Sequence, residues 1–411
     1  MAFALGIVLF AFGIAISIAL HEAGHMYAAR VTGMRVRRYF IGFGPTIWST
    51  HKGHTEYGLK AIPLGGFCDI AGMTKMDEMT PEERPYAMYD RPAWVRIFVM
   101  CGGIVMNILL ALGIIYGVAL AWGLPDRSVT YEATVAETQC VPERQLADGS
   151  LTKCSGDGPA AASGVQPGDT FISVNGQEVE DFPTLRTQLQ ELGKDSGSAV
   201  GEKITVPATV QRGGEDVEIT LQVDVVERLN TAGNPMTIGA IGMRPEQPEF
   251  RPLHYNPVTA VGGTLSFTGG MVKDTAIALV DLPSRIPGVV ASIFGGDRAD
   301  DSPMSVVGAS RVGGELVQYQ LWMSFFLALA SLNLFLAAFN LVPLPPLDGG
   351  HIAVVLYEKV RDFFRRLRGQ QPGGPADYTK LMPITYAATL VLIVFGATVI
   401  IADLVNPIRL F

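Results

Sequence analysis

The sequence has no excess of positive charge. Its 31 Lys and Arg stand against 39 Asp and Glu, for a net charge of −8 and a pI near 5.3. That balance gives no footing for nucleic-acid binding, and the acidic surplus, mostly mid-chain, reads as a solvated surface. Cysteine is scarce, at four residues, which leaves room for two bridges at most. Histidine is scarce too, at six, so a complete metal-binding pattern is not expected by accident. The first apolar run has no basic stretch before it and is longer than a signal-peptide core, which argues against a cleavable leader.

Apolar residues are what the chain has in plenty. They make up 48% of its 411 positions, and the mean hydropathy of +0.29 is too high for an ordinary soluble protein. The length suggests two or three units. Four segments, 2–29, 93–122, 321–342 and 381–402, are long and apolar enough to span a bilayer. Arg30, Arg35, Arg37 and Arg38 follow the first, and Arg91 and Arg96 border the second. Lys359, Arg361, Arg365, Arg366 and Arg368 lie between the third and fourth. The positive-inside rule puts both loops in the cytoplasm, and both termini and region 123–320 outside. Cys140 and Cys154 then fall outside, where a disulfide is possible and two free thiols are the alternative, while Cys68 and Cys101 lie inside or in the membrane.

Within the first span, His21-Glu22-Ala23-Gly24-His25 fits H-E-x-x-H. Positions i and i+4 share a helix face, so both imidazoles can reach one zinc ion, with Glu22 beside it as a general base toward water. The bland reading, satisfied core histidines, is weak here, because ionisable groups in a membrane span are functional by default. A catalytic zinc takes three protein ligands and keeps one position open. The third span ends near Asn340 and leads through Pro343, Pro345 and Pro346 to Asp348-Gly349-Gly350. Asp348 is the best third ligand, with an N-cap of the following helix, 350–364, as the alternative. Asn333 and Asn340 are i, i+7 on one face and suit either an unwound substrate backbone or helix–helix hydrogen bonds.

Between the first two spans, Gly42-Phe43-Gly44-Pro45 precedes β-rich runs at 46–50 and 55–61 with Lys52-Gly53 as their turn, and Pro63-Leu64-Gly65-Gly66 follows. So apolar a loop reads as a re-entrant β-element whose exposed edge, expected at 55–61, takes up an extended peptide; a hairpin that only packs is the alternative. His51 and His54 flank the turn and read as solvent-exposed. Region 128–245 is a soluble domain in which Ala160, Gly164-Val165, Gly168-Asp169, Ile172, Val174 and Asn175-Gly176 form a pattern similar to a bacterial PDZ domain, with a helix at 182–192 and strands at 204–211 and 217–223. Such domains bind extended peptides or chain ends by strand addition; a steric cap is the alternative. Segment 257–282 reads as an amphipathic stretch on the outer membrane surface, and 357–368 as a basic amphipathic helix on the lipid of the inner leaflet.

Together these motifs resemble the site-2 protease family of intramembrane zinc metalloproteases, in its bacterial PDZ-containing branch and most like actinobacterial Rip-type proteases. The resemblance runs nearly end to end through His21-Glu22-x-x-His25, Gly42-Phe43-Gly44-Pro45, Pro63-Leu64-Gly65-Gly66, the PDZ pattern and Asn340 to Gly350. It implies His21, His25 and Asp348 as zinc ligands, Glu22 as the group that activates water, and Gly42, Gly44, Asn333 and Asn340 near substrate. It also implies single-pass substrates such as anti-sigma factors, already shortened outside, with the PDZ domain excluding uncut ectodomains. The fold expected is an α-helical membrane protein. Its parts are spans at 1–30, 93–123, 321–350 and 381–403, the re-entrant element in 31–92, the PDZ domain at 128–245, an outer linker at 246–320 and a cytoplasmic helix and loop at 351–380. Two other classes compete. A haem protein needs axial histidines from different helices, and a membrane scaffold needs neither Glu22 nor zinc.

Overall fold

A computed structural model describes residues 1–127, 131–146, 151–229, 235–246, 252–296, 298–299 and 302–408. It divides into two units, one of 1–124, 254–289 and 301–411, the other of 125–253 and 290–300. The first contains α1 (Ala2–Val31), β1 (Val36–Lys52), β2 (Thr55–Ile70) and α2 (Ala93–Ala121). The second follows with β3 (Val135–Thr138), α3 (Gly158–Ala162), β4 (Thr170–Val174), β5 (Gln177–Glu178) and α4 (Phe182–Asp195). It continues through β6 (Lys203–Arg212), β7 (Glu215–Leu229), β8 (Pro235–Ala240) and β9 (Met243–Pro245). The chain then forms α5 (Thr259–Ile293), α6 (Val306–Gln318), α7 (Trp322–Asn340), α8 (Asp348–Leu367) and α9 (Met382–Val405).

Among the described residues, five helices are long and apolar enough to cross a membrane: α1, α2, α5, α7 and α9. Four coincide with the spans read from sequence; α5 is the stretch expected to lie along the surface. α1, α2, α7 and α9 are apolar over most of their surface, as lipid contact requires, whereas α5 carries Lys273, Asp274, Asp281 and Arg285. α1 exposes Leu5, Val8, Phe12 and Ile16 while burying Phe10, Ile14, Ser17, His21 and His25. Contact between α1 and α6 rests on small residues: a Cβ on Gly6 would lie 2.8 Å from Gly313 O and Gly314 Cα. A separate helix precedes the third span. Residues 303–308 open α6, whose N-terminus Asp403 of α9 caps through Ser305 N at 2.7 Å and Gly308 N at 3.2 Å. A break at Gln320, with φ of 60°, then separates α6 from α7.

The hairpin of β1 and β2 is longer than the sequence suggested, and its pairing corrects the expected edge. Residues 38–41 pair twice, with Gly66–Asp69 on one side and Glu56–Leu59 on the other, while 46–52 pairs with the far side of 55–60. Segment 55–59 is therefore internal to the sheet. The outer segments are 46–52 and 66–70. Gly42 and Gly44, with φ of 92° and 81°, sit where the register of β1 breaks, and a Cβ on Gly42 would press at 2.9 Å on the carbonyls of Lys60 and Ile62.

The second unit is a five-stranded sheet of order β5-β4-β6-β7-β8 over a core of Phe171, Val174, Leu185, Val210, Leu221 and Val223. Asn175 and Gly176 make the tight β4–β5 turn with positive φ, as the Asn-Gly pair indicated. Asp181 caps α4 by accepting from Thr184 N at 2.8 Å. Cys140 and Cys154 are joined in a disulfide, and Cys68 and Cys101 are free.

Candidate metal centre

α1 carries His21 and His25 one turn apart on its buried face, 9% and 6% exposed. Their Nε2 atoms are 3.3 Å apart, and each is 3.3 Å from Asp348 Oδ2. Among the described residues these three are the cluster of His, Cys and acidic side chains able to hold a metal ion. The Val99 carbonyl can only accept, so His25 Nδ1, 2.9 Å away, donates to it and leaves Nε2 with its lone pair inward. Tetrahedral zinc with ligand bonds of about 2.0–2.1 Å sets its ligand atoms about 3.3–3.4 Å apart, which is the spacing found here. Donor set and spacing therefore fit zinc. Both imidazoles come from one helix, edge to face with centroids 4.9 Å apart, so they cannot serve as opposed axial ligands of a haem.

Asp348 is the first residue of α8, whose N-cap is Leu347 with no side-chain capping bond. Its carboxylate turns to the imidazoles rather than to its own helix, unlike the N-cap alternative. The turn before it is tight: Leu344 N donates to Val342 O at 2.7 Å, and Gly349 sits against the carbonyls of Leu341 and Val342, where no Cβ fits. Glu22 lies beside the cluster on the sheet side. A Cβ on Gly66 would come within 3.1 Å of Glu22 Cγ, and Cys68 of the same segment lies near the Glu22 carboxyl. The sheet segment next to Glu22 is thus 66–70, an outer one.

Other residues singled out by sequence lie apart from this cluster. Asn333 is fully buried and donates to Ser17 Oγ at 2.9 Å and Leu329 O at 2.8 Å, tying α7 to α1 one turn before His21. That is the helix–helix alternative. Asn340 ends α7. His51 and His54 are exposed on the hairpin. What the sequence reading missed is a pair of glycines on α2. A Cβ on Gly103 would collide with both imidazoles, and Gly102 meets Gly24 backbone to backbone where α1 and α2 touch. The signal was available as Gly102-Gly103 inside a span, a small-residue contact surface. Asn107, one turn further along α2, is 1% exposed with neither amide atom partnered among the described residues.

Comparison with known proteins agrees with this geometry. The chain matches peptidase family M50 over residues 9–373. It is 46% identical to the zinc metalloprotease Rip1 of Mycolicibacterium smegmatis and 44% identical to that of Mycobacterium tuberculosis H37Rv, each over the full length of both chains. A putative zinc metalloprotease of Mesorhizobium japonicum is 28% identical over 93% of this chain and 94% of its own.

Proposed function

The chain belongs to peptidase family M50, the site-2 proteases, and from that membership we propose that it cuts the membrane segments of single-pass proteins, anti-sigma factors among them, in regulated intramembrane proteolysis. It is a membrane zinc metalloprotease. The observation that carries the reading is the convergence of His21, His25 and Asp348 at 3.3 Å, with Glu22 alongside, among helices long and apolar enough to cross a membrane.

His21 and His25 through Nε2, and Asp348 through its carboxylate, would hold the zinc. Bound there, it supplies Lewis acidity toward an amide carbonyl and lowers the pKa of water at the site. Glu22 takes the proton of the attacking water and later delivers it to the departing amine. The Val99 carbonyl holds the His25 ring in the tautomer that ligation needs. A transmembrane helix hides its amides in its own hydrogen bonds, so the substrate must unwind before attack. Segment 66–70, an outer strand beside Glu22, would hold it extended by strand addition.

The second unit is taken as an extracytoplasmic PDZ domain, on its motif and its succession of strand, Asn-Gly turn and helix. Four spans with both termini outside remain our reading. α5 supports it by having the lowest hydropathy of the five candidates, 1.4, and two internal prolines, Pro283 and Pro287. The test incubates purified protein with a single-pass substrate, compares wild type with Glu22→Gln, and maps products by mass spectrometry. A cut inside the membrane segment, lost in the variant and on chelation, supports the reading. A cut by both forms would mean that this cluster is not the active site.

A further inference from the structure

A second polar site lies in the first unit, away from the zinc ligands. Where α1 ends and the β1–β2 turn folds back, a cavity of about 480 Å³ is lined by Arg30, Arg35, Lys52, His54, Tyr57 and Tyr86 among others, and by no Asp or Glu. Its cations have only neutral partners. Arg30 donates to Thr55 Oγ1 at 3.0 Å and to the Tyr57 hydroxyl, and Thr55 in turn donates to Val36 O at 2.7 Å, so the guanidinium is held in place. Arg35 lies over the Tyr86 ring at 5.1 Å. Among the described residues neither Arg35 nor Lys52 has a carboxylate in ion-pair range. On the same surface Arg37 bonds Asp77 and Glu83, and Arg38 bonds Asp69, at 2.8–2.9 Å, while Arg91 donates to the carbonyls of Gly33 and Pro85.

Like charges converging around a hollow with no counter-charge repel one another, and an anion entering it relieves the repulsion. Two guanidiniums present planar forks of donors, Lys52 adds a mobile ammonium, and the tyrosine hydroxyls can also donate; this set suits tetrahedral oxyanions. Arg30 and Arg35 close the first span, at the depth where lipid headgroups lie. The geometry points to a site for a phosphate-bearing anion, supplied by an anionic phospholipid headgroup or by a free phosphoryl compound. Nothing in the proteolytic mechanism uses this pocket.

The test measures binding to the full chain in neutral detergent, by native mass spectrometry, with phosphatidylglycerol, phosphatidylcholine and inorganic phosphate as probes. Arg30 is spared because its bonds hold the sheet. The variant is R35Q/K52Q, checked for unchanged zinc content and thermal transition, with K153Q/K203Q in the second unit as a control for charge elsewhere. The wild type should prefer phosphatidylglycerol to phosphatidylcholine at least tenfold, and R35Q/K52Q should lose about thirtyfold in affinity for it while the control keeps it. Phosphate binding that depends on Arg35 and Lys52, without a preference between the lipids, assigns the site to a free anion. If neither probe's binding changes in R35Q/K52Q, the proposal is overturned.

Discussion

Gly103 has no side chain, yet it limits the metal centre as firmly as a ligand does. Any Cβ there meets both imidazoles. Gly103→Ala should therefore lower zinc content and turnover together, whereas Gly113→Ala on the same helix, with nothing within 4 Å of its added methyl, should leave both unchanged. Metal analysis and peptide release read the pair. Glu22→Gln keeps shape but loses the base; turnover should fall about 10²–10⁴-fold with zinc retained. Asp348→Asn should instead lose zinc, and added metal at high concentration should restore it in part. In the second unit Asp169 is almost wholly buried, which alone would raise its pKa. Arg212 at 2.7 Å and the Gln166 N–H at 2.8 Å outweigh this and hold its carboxyl below the ordinary range. With the folded pKa depressed, the stabilisation is present above the usual carboxylate range near about 4 and disappears as pH falls through the folded value. Asp169→Asn should make amide exchange in β4 and β6 faster at pH 7 and flatten its dependence on acid.

At the scale of elements, the β1–β2 sheet and the helix pair α2–α8 decide where the chemistry is placed. Because 55–59 is paired on both sides, proline at Tyr57 should disrupt the whole sheet and lower the melting temperature. Proline at Cys68, on the outer segment, removes one N–H beside Glu22; it should abolish turnover while sparing zinc content. Equal turnover in Cys68→Pro and wild type would count against strand addition there. α8 carries Asp348 at one end and, ten residues along, Glu358, whose carboxylate meets Arg96 of α2 at 2.5 Å in a buried pair. Removing one partner leaves a buried charge alone, at a cost of about 3–5 kcal/mol. Arg96→Met should destabilise strongly, and Arg96→Met with Glu358→Leu much less, by thermal unfolding in detergent.

The whole molecule joins a membrane unit that holds the metal cluster to a β-rich unit with its own core. If the second acts as a size filter, deleting 128–245 should admit substrates with longer ectodomains without moving the cleavage position. Unchanged length selectivity would sink that role. Span number is equally open to measurement: with four spans, single cysteines at both termini react with an impermeant thiol reagent added outside, whereas crossing by α5 puts the termini on opposite sides.

Local pattern alone determined the histidines and Glu22, because i, i+4 spacing on a helix settles which side chains share a face. Composition determined the membrane class and the four most apolar of the candidate spans. Sequence also nominated Asp348, but left it open between ligand and helix cap; only the fold brought its carboxylate to 3.3 Å from both imidazoles. Asn333 remained open in the same way until its partners on α1 and α7 were known. Gly102-Gly103 marked a small-residue surface, but its meeting with Gly24 of α1 and the outer position of 66–70 were not legible, since both depend on which distant segments meet. Helical periodicity is written within a few residues of one chain, whereas strand order and helix approach are settled by long-range packing.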